Sequence, residues 1–474
     1  MRQLGHRMID DMMTYLEKVE QRPVWKPIPD EVKSRLRAPL PLEPQDLEKV
    51  YERFVQDVLP YPMGCIHPRF WGWALGTGTP LDMLAEMLAA GMNSNTGGGE
   101  HVANYVEAQV LNWLKEMLGY PTKASGLLVS GASMANLVGL TVARNALAGF
   151  DVRRQGVSAS PQKMTMYAST ETHSSVQKAV ELLGLGADSL RQIPVNSDFQ
   201  IELSALESAI SEDRETGHHP ICVVGNAGTI NTGAFDDLDS LADICQQERM
   251  WFHVDGAFGA WATLSPELRP LVAGMSRADS LAFDLHKWMY MPYEIGCALV
   301  RREEDHRRSF SLIPTYLTHA ERGAAAGEPW FSDYGIQLSR NFRALKAWMS
   351  LQAHGVRKYG RLIQQNVDQA RYLVDLVDAS PELELMAPVP LSIVCFRYRA
   401  SDLDNASLNK LNEELLLRLH EDGNTLCSNV TIGDKYGLRV GILNHRSRRD
   451  DFDAFVREVV ELGRDLLDEG FVQS

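Results

Sequence analysis

The sequence predicts a three-layer α/β protein. Its centre is a mainly parallel sheet covered by helices, preceded by a helical segment and followed by a small α+β domain. Three observations predict this. From about residue 80 onward, short apolar runs alternate with amphipathic helical stretches. The runs are apolar throughout, as strands covered on both faces must be. The length, 474 residues, exceeds one ordinary core, so a large domain and at least one smaller one are expected.

Composition narrows the class. Hydrophobic residues make up 45% and charged residues 23%, as in globular proteins that fold in water. The formal net charge of -15 argues against a nucleic-acid surface and gives no reason to expect binding to anionic membranes. The six cysteines are scattered and none forms a Cys-x-x-Cys pair, so neither a zinc site nor a disulfide scaffold is expected. Reduced thiols in a cytoplasmic enzyme fit this usage. The acidic pair Asp10-Asp11 follows the first residues where a signal peptide would place its apolar core. No run of roughly 18 uncharged apolar residues predicts a membrane span.

Residues 1–79 read as helical and interrupted. Leu4, Met8, Met12 and Leu16 share one helical face, and Pro23 to Pro44 form a connector. A second helix, from about Pro44 to Val58, carries Leu47, Val50, Tyr51 and Phe54. Two such helices bury little alone and need another surface, such as a second subunit. Residues 80–345 are the expected large domain. Its candidate strands are Gly126–Ser130, Met164–Ser169, Ile221–Val224, Trp251–Val254, Leu281–Phe283 and Cys297–Val300. Helices intervene at Met134–Leu147, Ser174–Leu183 and Leu238–Glu248, after earlier ones at Leu81–Ala90 and Val106–Leu118. Residues 346–474 are the expected small domain, with strands at Pro390–Tyr398 and Gly437–Leu443 around a helix at Ser407–Asp422.

Chemistry concentrates where these strands end. Ser130-Gly131-Ala132-Ser133 joins a strand to a helix; Ser133 is placed as a cap, and the turn is either a phosphate cradle or an ordinary small-residue cap. Thr172-His173-Ser174-Ser175 follows the next strand, and its histidine either lies over a planar ring or caps a helix. Gly225-Asn226-Ala227-Gly228-Thr229 lets backbone approach a ligand, or is a tight turn. In His253-Val254-Asp255-Gly256-Ala257 the aspartate is either solvated or set to keep a pyridine nitrogen protonated. The last segment is Leu281-Ala282-Phe283-Asp284-Leu285-His286-Lys287-Trp288. An ammonium among apolar and aromatic neighbours is costly unless its nitrogen loses its charge or is covalently engaged; otherwise Lys287 is a surface lysine. Together the segments place Ser133, His173, Thr229, Asp255 and Lys287 at the carboxyl ends of successive strands, where open α/β sheets bind ligands.

The order and spacing of these segments resemble the fold-type I pyridoxal phosphate (PLP) enzymes, and among them the group II amino acid decarboxylases, over most of the chain from His67-Pro68-Arg69-Phe70 to Arg439. The resemblance implies PLP as cofactor, Lys287 as its Schiff-base lysine after His286, and Asp255 as partner of the pyridine nitrogen. It implies His173 as the ring-stacking histidine and Ala132 and Ser133 as the phosphate pair, with Thr229 and Ala257 also at the cofactor. Ile313-Pro314-Thr315-Tyr316-Leu317 resembles the family's mobile loop, whose tyrosine returns a proton to the α-carbon once carbon dioxide has left. Arg439, in Tyr436-Gly437-Leu438-Arg439-Val440, resembles the arginine near the substrate carboxylate; Trp73 and His101 are the other expected substrate-side residues. No metal ligand set is implied.

The implied reaction is decarboxylation of an L-amino acid, aromatic by this resemblance, to amine and carbon dioxide by a cytoplasmic homodimer clasped by its N-terminal helices. Departures are Leu285 where the family has proline, Asp284 where the animal aromatic decarboxylases have asparagine, and a polar stretch from Asn93 to His101 in place of apolar anchors. The Asp284 carboxylate is expected to repel phosphate. Four alternatives stand beside the main expectation, the first being the same decarboxylation of a non-aromatic amino acid. An aldehyde synthase carries phenylalanine in place of the loop tyrosine. An aminotransferase or sphingosine-phosphate-lyase-like enzyme would share Lys287 and Asp255. An inactive scaffold would have no need of Lys287, Asp255 and His173.

Overall fold

The structure is a computed structural model that describes residues 1–312 and 320–471. It divides into two compact units. Leu81–Asp368 with Pro388–Ser392 form one; Met1–Pro80, Gln369–Ala387 and Ile393–Ser474 form the other.

The first unit is built on seven strands: β1 (Ser125–Val129), β2 (Met164–Ser169), β3 (Leu190–Ile193), β4 (His219–Asn226), β5 (Trp251–Asp255), β6 (Ser280–Asp284) and β7 (Gly296–Val300). Their order is β1-β7-β6-β5-β4-β2-β3. Only β7 runs against its neighbours, β1 and β6; the other pairs are parallel. Two antiparallel steps leave β1 parallel to β6, so β1, β2, β4, β5 and β6 all end on one edge. Asn226 pairs with Asp255, and Asp255 with Ala282, which aligns the ends of the three central strands.

Side-chain alternation shows that both faces are covered. On one face of β5, His253 lies under Gly139 of the helix Ala132–Leu147; a Cβ there would stand 2.7 Å from the imidazole Cε1. On the other, Phe252 lies beside Gly225, which faces Leu238 and Leu241 of the helix Leu238–Glu248. Asp237 caps that helix through the Ser240 N–H, and Arg249 ends it in the left-handed conformation. The core on the Ala132–Leu147 side includes Leu140, Val142, Met166, Val176 and Val180.

The expected strands are present with shifted ends. Ile221–Val224 extends to His219–Asn226, and the strand expected from Gly126 to Ser130 runs from Ser125 to Val129. The edge strand β3 and the helix Leu203–Glu215 were not expected from the sequence.

In the second unit, β8 (Leu383–Leu385), β9 (Ile393–Tyr398), β10 (Ser428–Ile432) and β11 (Lys435–Gly441) form an antiparallel sheet in the order β10-β11-β9-β8. The strand expected from Pro390 starts at Ile393, since a proline has no N–H for the ladder. Helices Asn405–Asp422 and Arg449–Asp468 bury Leu411, Leu415, Phe452 and Phe455. Trp71 stacks on Phe452 at 4.6 Å and donates its indole N–H to Ser447 Oγ at 2.9 Å, which ties residues 1–80 into this unit. The helix Leu47–Asp57 buries Tyr51 and Asp57, while Leu47 and Val50 stay exposed. Among the described residues no helix is long and apolar enough to cross a membrane.

Candidate active site

The aligned strand ends open into a cavity of about 500 Å³ within the first unit. Five loops line it: Ser130–Met134 after β1, His173 and Ser175 after β2, Gly228–Ile230 after β4, Ala257 and Phe258 after β5, and His286 and Lys287 after β6. Tyr293 and Glu294, ahead of β7, complete the lining.

Lys287 is the one lysine lining the cavity among the described residues. Its Nζ lies 3.2 Å from Asp284 Oδ2. The other oxygen of Asp284 accepts the Ala132 N–H at 2.6 Å, at the start of the helix Ala132–Leu147. Thus Asp284 holds both the lysine and one helix N-terminal donor. His286 stands on Tyr293, ring centroids 4.5 Å apart, and its Nδ1 accepts the Ile295 N–H at 3.2 Å. Its other nitrogen is 3.5 Å from Asp284. Burial pushes the imidazole below its ordinary pKa, against the pull of Asp284, so this contact is between a neutral ring and a carboxylate. Behind the lysine, the buried Trp288 and Tyr290 donate to one acceptor, Asn366 Oδ1, at 3.0 and 2.8 Å.

Asp255 has two fixed donors. Its Oδ1 accepts the Ala257 N–H at 3.1 Å, and its Oδ2 accepts from Asn136 Nδ2 at 2.8 Å. His173 is both a helix cap and a cavity residue: its Nδ1 accepts the Ser175 N–H at 3.2 Å and lies 2.8 Å from Ser175 Oγ. Surrounding atoms desolvate its imidazole and push its pKa down, with Asp255 opposing and Lys287 assisting. Thr229 Oγ1 accepts the Ala234 N–H at 3.1 Å, which folds its loop around the cavity.

Ala132, Ser133, His173, Thr229, Asp255, Ala257, His286 and Lys287 all line this one cavity. Ser133 is not the helix cap. Gly131 holds that position, and Ser133 sits in the first turn. Among the described residues neither the Ser133 N–H nor its hydroxyl has a partner, which leaves two donors at a helix N-terminus for an anion. The cradle is tight: a Cβ on Gly131 would stand 3.1 Å from His286 Cε1, and one on Gly296 would stand 2.6 Å from Gly131 Cα. Carboxylate, imidazole, amine and helix N-terminus are the donor set that a phosphorylated pyridine aldehyde requires, so these residues fit PLP.

Three expected residues, Trp73, His101 and Arg439, are not among those lining the cavity of the first unit, and one lies outside the described residues. His101 does not line the cavity; its Nε2 is 2.9 Å from the Asn95 carbonyl. The polar stretch around it serves the backbone, with Asn95 Oδ1 accepting from Gly97 and Arg340 N–H groups at 3.1 and 2.9 Å. Trp73 and Arg439 belong to the second unit, where Arg439 is 3% exposed and its guanidinium donates to the Trp73 carbonyl at 2.8 Å. Burial pushes the Arg439 pKa down to about 10. Tyr316 lies outside the described residues.

Residues 29–399 match the family described as the pyridoxal-dependent decarboxylase conserved domain. The chain is 33% identical over 473 residues to the aromatic-L-amino-acid decarboxylase of Bacillus atrophaeus, covering 98% of this chain and 96% of that one. It is 30% identical to the histidine decarboxylase of Drosophila melanogaster, covering 99% of this chain and 56% of that longer protein. Among solved structures, Oryza sativa TDC with PLP and tryptamine superimposes with a TM-score of 0.91 at 26% identity, with 98% of each chain covered.

Proposed function

The chain belongs to the pyridoxal-dependent decarboxylase family, and from that premise we propose that it converts an aromatic L-amino acid to the amine and carbon dioxide. It is a PLP-dependent amino acid decarboxylase; the aromatic substrate, the amine product and the residue roles are the proposal. The observation that carries it is one cavity lined by both the Lys287 amine and the Asp255 carboxylate, beside a helix N-terminus.

When bound, PLP supplies an aldehyde that condenses with amines and a ring that accepts the electron pair left by departing carbon dioxide. Lys287 Nζ is the amine placed to hold that aldehyde. Ser133 offers its N–H and hydroxyl to the phosphate, with the helix dipole behind them. Asp255, fixed by two donors, accepts from a protonated ring nitrogen and so favours the charged ring. His173, neutral for the reasons above, offers a flat face without a competing charge. Tyr316 is the residue proposed to deliver a phenolic proton to the substrate α-carbon. Its presence where aldehyde synthases carry phenylalanine supports amine as the product. Aromatic specificity is supported by the Bacillus atrophaeus relative and by the Phe258 and Tyr293 side chains at the cavity. The proposed assembly is a cytoplasmic homodimer. Exposed Met87, Leu88 and Met92 on the helix Pro80–Met92 support a second subunit covering that face.

The test is a panel of L-amino acids, histidine included, offered to PLP-loaded protein while carbon dioxide and amine are followed. The reading predicts equal amounts of the two, fastest with an aromatic side chain. Faster turnover of an aliphatic or acidic amino acid would overturn the substrate assignment. Size-exclusion with light scattering should return twice the 53.0 kDa chain mass.

A further inference from the structure

Asn136 lies on the helix Ala132–Leu147 and is fully buried, behind the cavity and not part of its lining. Its amide touches three groups, and their chemistry fixes every proton between them. Asp255 is an acceptor, so the amide nitrogen faces it, at 2.8 Å. The same nitrogen reaches Ser175 Oγ at 3.1 Å. The amide oxygen therefore faces His253 Nε2, at 2.9 Å, and that nitrogen must donate. Burial pushes the His253 imidazole down to about 4, so the ring is neutral and its Nδ1 is an acceptor. The Ser280 hydroxyl, 2.7 Å away, fills that acceptor and itself accepts the Trp251 indole N–H at 2.8 Å. A chain of one sense thus runs from an obligate donor, Trp251, to an obligate acceptor, Asp255.

The second branch leaves from Ser175. Having accepted from Asn136, its hydroxyl donates to His173 Nδ1 at 2.8 Å, alongside the Ser175 N–H at 3.2 Å. Two donors on Nδ1 place the ring proton on Nε2. We propose that Asn136 is the positioning residue of this active site: one amide aims the Asp255 carboxylate and, through the Ser175 hydroxyl, adds a second hydrogen bond that holds the His173 ring in place.

No other side chain of this size does both. Aspartate would set a second carboxylate against Asp255. Leucine would fill the space and leave Asp255, Ser175 and His253 Nε2 each short of a partner. The close seat of the helix on His253, which Gly139 permits, is what brings the amide within reach.

The inference rests on the PLP reading of the cavity, and its test separates the two. Cofactor-free parent and Asn136→Leu proteins are titrated with PLP, and with a carbocyclic analogue that keeps aldehyde and phosphate but carries C–H in place of the ring nitrogen. Binding is read from visible absorption. The parent should prefer PLP, because only PLP meets the Asp255 carboxylate with a protonated nitrogen. Asn136→Leu should weaken PLP on the order of tenfold or more and leave the analogue nearly unchanged. Equal weakening of both ligands would make Asn136 a purely structural amide and overturn the proposal; so would no weakening of either. A parent that binds both ligands equally would instead overturn the role of Asp255, and the proposal with it. Asn136→Ala, which leaves room for water, repeats the test if circular dichroism shows the leucine variant unfolded, and the same outcomes decide.

Discussion

Asp255→Asn changes one atom and leaves the shape of the side chain intact. The carboxylate accepts from two fixed donors, the Ala257 N–H at 3.1 Å and Asn136 Nδ2 at 2.8 Å. An amide offers one oxygen, so one of those donors must face an NH₂. A buried donor without a partner costs about 1–3 kcal/mol, and that is the expected loss of folding stability. At the cavity the loss is of another kind. A charge-assisted hydrogen bond to the ring nitrogen is worth about 1.5–3 kcal/mol, so PLP affinity should fall roughly 10- to 100-fold. The electron sink weakens as well, because an amide cannot favour the charged ring. With PLP added to saturation, kcat should therefore still fall on the order of 100-fold. The assay is carbon dioxide release under saturating PLP, with occupancy read from visible absorption and folding from a urea titration. A fully occupied Asp255→Asn with kcat within about threefold of the parent would refute the role given to this carboxylate.

Other substitutions test other parts of the account. Tyr316→Phe should bind substrate normally, form less amine, and consume oxygen with release of aldehyde, ammonia and hydrogen peroxide; parental amine formation without oxygen uptake would make the tyrosine a packing residue. Arg340→Met should cost about 3–5 kcal/mol of stability in urea titrations, because the fully buried Glu107 would lose its bidentate partner; a loss under about 1 kcal/mol would contradict that. Acid should destabilise the fold through two buried histidines. Burial lowers His253 from 6.5 to about 4 and His306 from 6.5 to about 3. Below pH 6.5 the unfolded chain takes up protons that the folded chain refuses. Each histidine therefore removes about 1.4 kcal/mol per pH unit as pH falls toward its folded value, and neither contributes above that window. Urea titrations of parent and His306→Gln between pH 7 and 4 should show about one histidine's worth less slope in the variant. Identical slopes would disprove the assignment.

The strands that carry the site were legible because a parallel sheet buried on both faces writes itself as apolar runs, and Leu281-Ala282-Phe283 before Lys287 is one. Lys287 stood out for the same reason: its neighbours are buried, and a lysine among them needs a cause. The edge strand β3 gave no such run. Leu190-Arg191-Gln192-Ile193 is short and half exposed, and a strand paired on one side only is not obliged to be apolar. The helix Leu203–Glu215 does carry a readable signal, with Leu206, Ile210 and Asp213 buried along one face among many charges. Asn136 was illegible. It is one of several polar residues in its helix, with Ser133, Thr141, Arg144 and Asn145, and its partners Ser175, His253 and Asp255 are 39, 117 and 119 positions away. Only strand register brings them together. Asp284 was expected only as a source of repulsion, because the sequence hides that its carboxylate meets the Ala132 N–H and Lys287 Nζ. Ser133 was misplaced as the cap by two positions: small residues mark the helix start but not which of them is the cap.

The central claim is that Lys287 is the amine that holds the cofactor, and one measurement addresses it directly. The PLP-loaded protein is reduced with borohydride, digested, and its peptides are mapped by mass spectrometry. The account predicts loss of the visible absorption band and a pyridoxyl label on Lys287 alone, with Lys287→Ala taking up no label. A pyridoxyl label on any other lysine, or labelling that survives in Lys287→Ala, would contradict it.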